Sequence, residues 1–141
     1  MKTIPVLLAL LLGFGLQARQ DCLIRLSGIR SQEGKIVISV FDGQESFEAE
    51  RACKQYIIDK DKMRHGRLTA RINLPEGVYG IVILDDEDED VEMTYNALGL
   101  PKEGFGFSGY TQRGLRKPCF SDFCFRLEGQ TKCVNIELSY F

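Results

Sequence analysis

Hydrophobic positions along this chain change period several times, and most of the changes point to short strands. Leu23-Ile24-Arg25-Leu26 alternates and stops at Ser27-Gly28. A polar, glycine-containing turn follows over residues 30–34. Lys35-Ile36-Val37-Ile38-Ser39-Val40-Phe41-Asp42 is then the clearest strand, β-branched and closed by Asp42-Gly43. The two segments read as a hairpin. Over residues 44–58 the period becomes helical. Ala49, Ala52, Cys53, Tyr56 and Ile57 fall at i, i+3, i+4, i+7 and i+8, and Phe47 extends the same face. Glu45, Glu48 and Glu50 near its start suit the helix dipole, and the pattern turns Cys53 toward the core. Residues 67–74 alternate again, and Pro75-Glu76-Gly77 is a turn. Val78-Tyr79-Gly80-Ile81-Val82-Ile83-Leu84 is almost wholly apolar, the mark of a central strand. Residues 123–127 and 133–138 flank Glu128-Gly129-Gln130-Thr131 and read as a C-terminal hairpin. Many short strands, one short helix and no strand–helix alternation predict a mostly β fold, an antiparallel β-sandwich.

The first 18 residues stand apart from this pattern. Lys2 precedes the apolar run Pro5-Val6-Leu7-Leu8-Ala9-Leu10-Leu11-Leu12-Gly13-Phe14-Gly15-Leu16, which is too short to span a bilayer. Ala18 is a small residue suited to precede a cleavage point. The segment reads as a secretory signal peptide, and residues 19–141 as a single β-sandwich domain. An exported protein, periplasmic or extracellular, is the expectation. No second long apolar stretch follows, so no membrane span is expected in the mature chain. The five cysteines, Cys22, Cys53, Cys119, Cys124 and Cys133, all lie after the cut. In an oxidising compartment they predict one or two disulfides and at least one free thiol, with a pairing that spacing does not select. Zinc spacing is absent: there is no C-x-x-C, and the single histidine, His65, is remote in sequence from the cysteines.

Composition narrows the function classes. The chain has 141 residues, 18 Lys and Arg against 20 Asp and Glu, and a net charge of −2. Its pI near 5.5 argues against nucleic acid as a partner, because phosphate binding needs a clustered basic surface. One histidine excludes any mechanism that needs two. His65, between Arg64 and Gly66, reads as an exposed residue.

Two segments carry candidate chemistry. Asp85-Asp86-Glu87-Asp88-Glu89-Asp90-Val91-Glu92 follows the central strand, and its carboxylates repel one another. Asp86, Asp88 and Asp90 have the D-x-D-x-D spacing of a calcium loop, whose alternate side chains converge on one hard cation. The other reading is a solvated acidic loop. Val91 stands where such loops place glycine. The second segment is Asn96-Ala97-Leu98-Gly99-Leu100-Pro101-Lys102-Glu103-Gly104-Phe105-Gly106-Phe107-Ser108-Gly109-Tyr110, rich in glycine and aromatics. It is either an exposed aromatic platform for a sugar or peptide, or an ordered loop whose Phe105 and Phe107 plug the sandwich. In the latter reading its glycines take unusual backbone angles. Ser108 lacks the G-x-S-x-G frame of a nucleophile elbow.

The run from Leu74-Pro75-Glu76-Gly77-Val78-Tyr79 through the acidic loop to Asn96-Ala97-Leu98-Gly99-Leu100-Pro101-Lys102-Glu103-Gly104-Phe105-Gly106-Phe107-Ser108 resembles domain-of-unknown-function family 2141, a family of small exported bacterial proteins. Pro118, Phe120 and Phe125 match a later motif of that family. The resemblance implies a transthyretin-like sandwich and no established activity. It also implies a calcium-compatible loop, with Asp86, Asp88 and Asp90 as ligands and the carbonyl of Glu92 as a fourth. Val91 in place of glycine and Thr94 in place of a final aspartate depart from the family pattern.

Three functions are consistent with these residues. One is a non-enzymatic exported binding or adhesion-type module, calcium-stabilised, for a protein or glycan ligand. Another is a carboxylate-dependent hydrolase, with Asp86 and Asp88 beside Glu103 as acid and base. This needs carboxylates in distinct environments within a pocket. The last is a purely structural envelope protein.

Overall fold

The computed structural model describes residues 18–93, 101–114 and 116–141. The segment up to residue 17, which the sequence reads as a signal peptide, Thr94 and the Asn96–Leu100 part of the motif that carries the resemblance lie outside them. Eight strands and two short helices follow in the order β1 (Arg19–Ser27), β2 (Lys35–Phe41), α1 (Gln44–Glu48), β3 (Lys54–Asp59), β4 (Leu68–Pro75), β5 (Gly77–Asp86), β6 (Gly104–Phe107), α2 (Phe120–Phe123), β7 (Cys124–Leu127) and β8 (Lys132–Glu137). They form two packed sheets, a mostly β sandwich as predicted. The smaller has the order β4-β1-β8. The larger has the order β3-β2-β5-β6, with β7 also paired to β5. The apolar β5 is central, pairing β2, β6 and β7.

Period-2 alternation explains the layering. Ile36, Ile38 and Val40 of β2 and Ile81 and Ile83 of β5 point inward. There they meet Ile24 and Leu26 of β1 and Val134 and Ile136 of β8 in one cluster. The opposite face of the large sheet is also covered. Phe41, Phe47, Phe105, Phe107, Phe120 and Phe123 form a second cluster over it. Their rings meet mostly edge to face, with Phe47 and Phe123 centroids 5.0 Å apart. Helices α1 and α2 lie on this outer layer and contribute Phe47, Phe120 and Phe123. Phe105 and Phe107 are therefore buried in this outer layer on a strand, neither an exposed platform nor a loop plugging the sandwich.

Four expectations from the sequence are corrected. The helix ends at Glu48, far short of residue 58. Glu50 takes φ 54°, and the Cys53 N–H donates to the Val40 carbonyl, which draws the chain into β3. Tyr56 and Ile58 then face inward while Ile57 is 51 % exposed, and Cys53 is exposed and not turned to the core. β1 and β2 are not a hairpin: β1 pairs β4 and β8 in the other sheet. Buried Ile29, whose N–H donates to the Gly66 carbonyl, anchors the crossing between sheets. β7 and β8 are likewise split, β7 joining β5 and β8 running parallel to β1, so the sandwich is not wholly antiparallel. Finally, all five cysteines are free thiols. Cys22 faces the core, and burial pushes its thiol up to about 11. Cys133, beside it on β8, pairs with Leu23 in register and is exposed on the opposite face. Opposed side-chain directions keep the two sulfurs apart.

Ser108 links three elements at the end of β6. Its Oγ accepts from the Ile81 N–H at 3.0 Å and donates to the Phe123 carbonyl at 2.6 Å, all within the interior. Ser108→Ala leaves two buried backbone groups unpaired. The expected loss in urea unfolding is about 1–3 kcal/mol, with the fold retained.

Candidate functional site

Strand β5 ends in two aspartates whose side chains leave on opposite faces. Asp85 points inward and is fully buried; its Oδ1 lies 2.5 Å from Lys60 Nζ and its Oδ2 accepts the Tyr140 hydroxyl at 2.6 Å. Asp86 points outward. In the β5–β6 ladder Asp85 pairs with Gly104, so Asp86 and Glu103 stand one step beyond, side by side on the outer face. The β6 glycines face inward, where the small sheet approaches closely. A Cβ on Gly104 would lie 2.3 Å from the Tyr140 ring, and one on Gly106 would lie 2.6 Å from Ile136. Space, not an unusual backbone angle, is what these two glycines provide.

The loop after β5 folds back over Asp86. Its Oδ1 accepts the Asp90 N–H at 3.1 Å and its Oδ2 accepts the Val91 N–H at 2.9 Å. Val91 takes φ 64°, the left-handed conformation that glycine would adopt there. The turn brings together one carboxylate oxygen each from Asp86, Asp88, Asp90 and Glu103, all within 4.8 Å of one another. Three of the expected ligands therefore converge. Glu92, expected to offer its carbonyl, adds no side-chain carboxylate to the cluster; its N–H donates to Asp90 Oδ1 at 2.9 Å. Glu103 is the member that the loop spacing misses. It lies far along the chain and is recruited by the β5–β6 register.

Glu103 is 4 % exposed, and among the described residues no backbone or basic group donates to either carboxylate oxygen. Burial, then Asp88, pushes its carboxyl up to about 8, so it holds a proton that it shares with Asp88. That shared proton holds Asp88 below its usual value, while burial raises Asp86. Beside the cluster an open cleft of about 400 Å³ is lined by Arg30, Glu33, Glu87, Asp88, Lys102 and Glu103. Arg30 pairs with Glu87 at 2.5 Å. Serine Ser31 also donates to Glu87, at 2.7 Å, and these donors lower that carboxyl.

Comparison with known proteins adds the family. The profile described as "Uncharacterized protein conserved in bacteria" (DUF2141) matches residues 24–135. This chain belongs to the DUF2141 family. The match spans both sheets, the acidic loop and Glu103, so the site lies inside the family's shared domain. No curated protein matches the chain, and no solved structure does. His65, exposed at a turn with φ 52°, takes no part in the site. Among the described residues no helix is long and apolar enough to cross a membrane.

Two expectations follow from this geometry. Without a cation, the folded state holds a proton on Glu103 up to about pH 8, whereas an unfolded glutamate releases it near 4.5. The folded chain therefore binds more protons in between, and stability falls as pH rises from about 4.5 to about 8. Thermal melts of metal-free protein across that range check the slope, and Glu103→Gln flattens it. Val91→Gly relieves the left-handed β-branched residue and stabilises the fold by about 1 kcal/mol, as read from urea unfolding.

Proposed function

We propose that this protein is an exported, non-enzymatic binding module of the adhesion type whose rim is organised by calcium. The observation that carries this reading is Glu103, a buried carboxylate aimed at three aspartates with, among the described residues, no basic group on its oxygens. Like charges opposed across a ladder destabilise a sheet, and a central divalent cation reverses the sign of that interaction. Calcium takes six to eight oxygens in flexible geometry and accepts a mixture of buried and exposed carboxylates. Asp86, Asp88, Asp90 and Glu103 supply that donor set. A purely structural protein has no need of such a cluster. Export is supported by the apolar leader over residues 1–18. The polar cleft beside the site suits a protein or glycan ligand.

The hydrolase reading gains one observation of its own: an acid with a raised pKa beside a cleft, next to a carboxylate held low. The two environments differ as acid–base chemistry requires. Against it stands the spacing. Paired carboxyl groups that flank a scissile glycosidic bond are about 5 Å or more apart, and here four oxygens lie within 4.8 Å. That spacing fits an ion better than a bond to be cut.

Calorimetric titration with calcium tests the reading. Saturable heat with a dissociation constant between about 1 μM and 1 mM is expected, together with a calcium-raised melting temperature. Glu103→Gln has effects of opposite sign in the two states. It raises the melting temperature of the metal-free protein and weakens calcium binding at least about tenfold. Absence of heat and of any melting shift in the unaltered protein overturns the calcium site.

A further inference from the structure

The two segments that would supply cation ligands, residues 85–90 and Glu103, are held together from one side by a pair of residues belonging to neither. Arg30 Nη2 reaches Glu87 Oε1 at 2.5 Å and the Lys102 carbonyl at 3.2 Å. Glu87 directly follows Asp86, and Lys102 directly precedes Glu103. One guanidinium therefore spans both segments, each contact one residue from a ligand. Tyr140 makes the same connection one layer below. Its hydroxyl donates to Asp85, the neighbour of Asp86, and its ring lies against Gly104, the neighbour of Glu103. The two clamp residues also hold each other. The Arg30 guanidinium sits 4.5 Å above the Tyr140 ring, and the Arg30 N–H donates to the Tyr140 hydroxyl at 3.2 Å. Tyr140 is fixed in turn by the C-terminal segment, where Phe105 and Ser139 exchange backbone hydrogen bonds of 3.1 and 2.8 Å and Phe141 stacks on Phe105.

We infer that Arg30 and Tyr140 are positioning residues that set the distance between Glu103 and the Asp86–Asp90 loop, and so determine how tightly and how selectively the rim holds a cation. This rests on the calcium reading above. The planar guanidinium is what fixes the geometry: Nε also donates to Glu87 Oε1 at 3.0 Å, so the fork holds Nη2 toward the Lys102 carbonyl, and a lysine keeps the charge but loses this second donor and the orientation it sets. Residues that orient metal ligands in this way change affinity about 10- to 100-fold when altered. A loosened rim also loses discrimination, because magnesium requires a smaller and more regular set of oxygens than calcium.

The experiment compares Arg30→Lys, Tyr140→Phe and a control in the full chain. Tyr79→Phe is the control, because it removes a tyrosine hydrogen bond of 2.7 Å to the Pro75 carbonyl, away from the cluster. Two readouts are taken: calcium and magnesium titrations, and hydrogen exchange of the 85–88 and 102–104 amides in metal-free protein. The expected result is at least about tenfold weaker calcium binding in both clamp variants, a changed calcium-to-magnesium ratio, and faster exchange in both segments together. The control is expected to match the unaltered protein in both. Clamp variants that bind calcium within about twofold of the unaltered protein overturn the inference. If the unaltered protein binds no calcium, the cation reading fails on its own. The exchange data then decide the clamp: unchanged protection in either segment overturns it, and joint loss of protection sustains its mechanical part.

Discussion

The ion pair between Lys60 and Asp85 lies at the rim of the inner core, with both side chains almost wholly shielded from water. Charges in that position destabilise a fold unless their hydrogen-bonding capacity is filled. Here it is filled. The ammonium reaches the Ser31 and Glu33 carbonyls as well as Asp85, and the other Asp85 oxygen accepts the Tyr140 hydroxyl. The turn over residues 31–33, the end of β5 and the C-terminal segment are thereby gathered on one buried carboxylate. Removing one partner leaves an uncompensated charge, so the arrangement is fixed all together or not at all. Because Asp85 is fixed, so is the direction in which Asp86 leaves the sheet, and so is the register that brings Glu103 beside it.

That fixed register creates the central conflict of the rim. A sheet ladder normally sets unlike or apolar side chains opposite one another. This one brings Asp86 and Glu103 together and then folds Asp88 and Asp90 over them. The chain can relieve the repulsion by holding a proton on Glu103, or a cation can take the centre. The two solutions compete for the same oxygens. The proton on Glu103 lets the acidic loop hold its shape with no cation present. A preformed loop loses less conformational freedom on binding than one that must fold around its ion.

Much of the sandwich was legible from alternation alone. The runs 36–41 and 78–84 lie in strands because β-branched and apolar residues dominate them. The sequence misled where two periods fit one segment. Ala49, Ala52, Cys53, Tyr56 and Ile57 match a helical face, yet Gln55, Ile57 and Asp59 also match the outer face of a strand, and pairing with β2 selects the second. Partner choice was not legible either, because adjacent strands with short connections look like hairpins whichever sheet they enter. Only the packing of Ile29, Leu127 and Val134 between sheets reveals the crossings. At the site, the D-x-D-x-D spacing exposed three members of the carboxylate cluster because they are neighbours in sequence. Glu103 was visible only as one carboxylate beside a glycine-rich segment. A period-2 reading of Gly104-Phe105-Gly106-Phe107 would have given a strand with glycines inward and phenylalanines outward, and would have placed Glu103 on the outer face.

Val91 bears on whether the loop's shape is a consequence of its sequence or a constraint upon it. A β-branched residue strongly disfavours the left-handed region, and a turn free to relax would move it out. It stays because the Asp86 carboxylate accepts the N–H groups of Asp90 and Val91 together. Asp86 itself cannot move, since Asp85 is locked behind it. The strain at Val91 is therefore held by the same buried network that aligns Glu103. A loop that keeps its glycine-like turn without the glycine is shaped by its anchor rather than by its local preferences. Valine thus holds at an energetic cost a turn that glycine would adopt without strain.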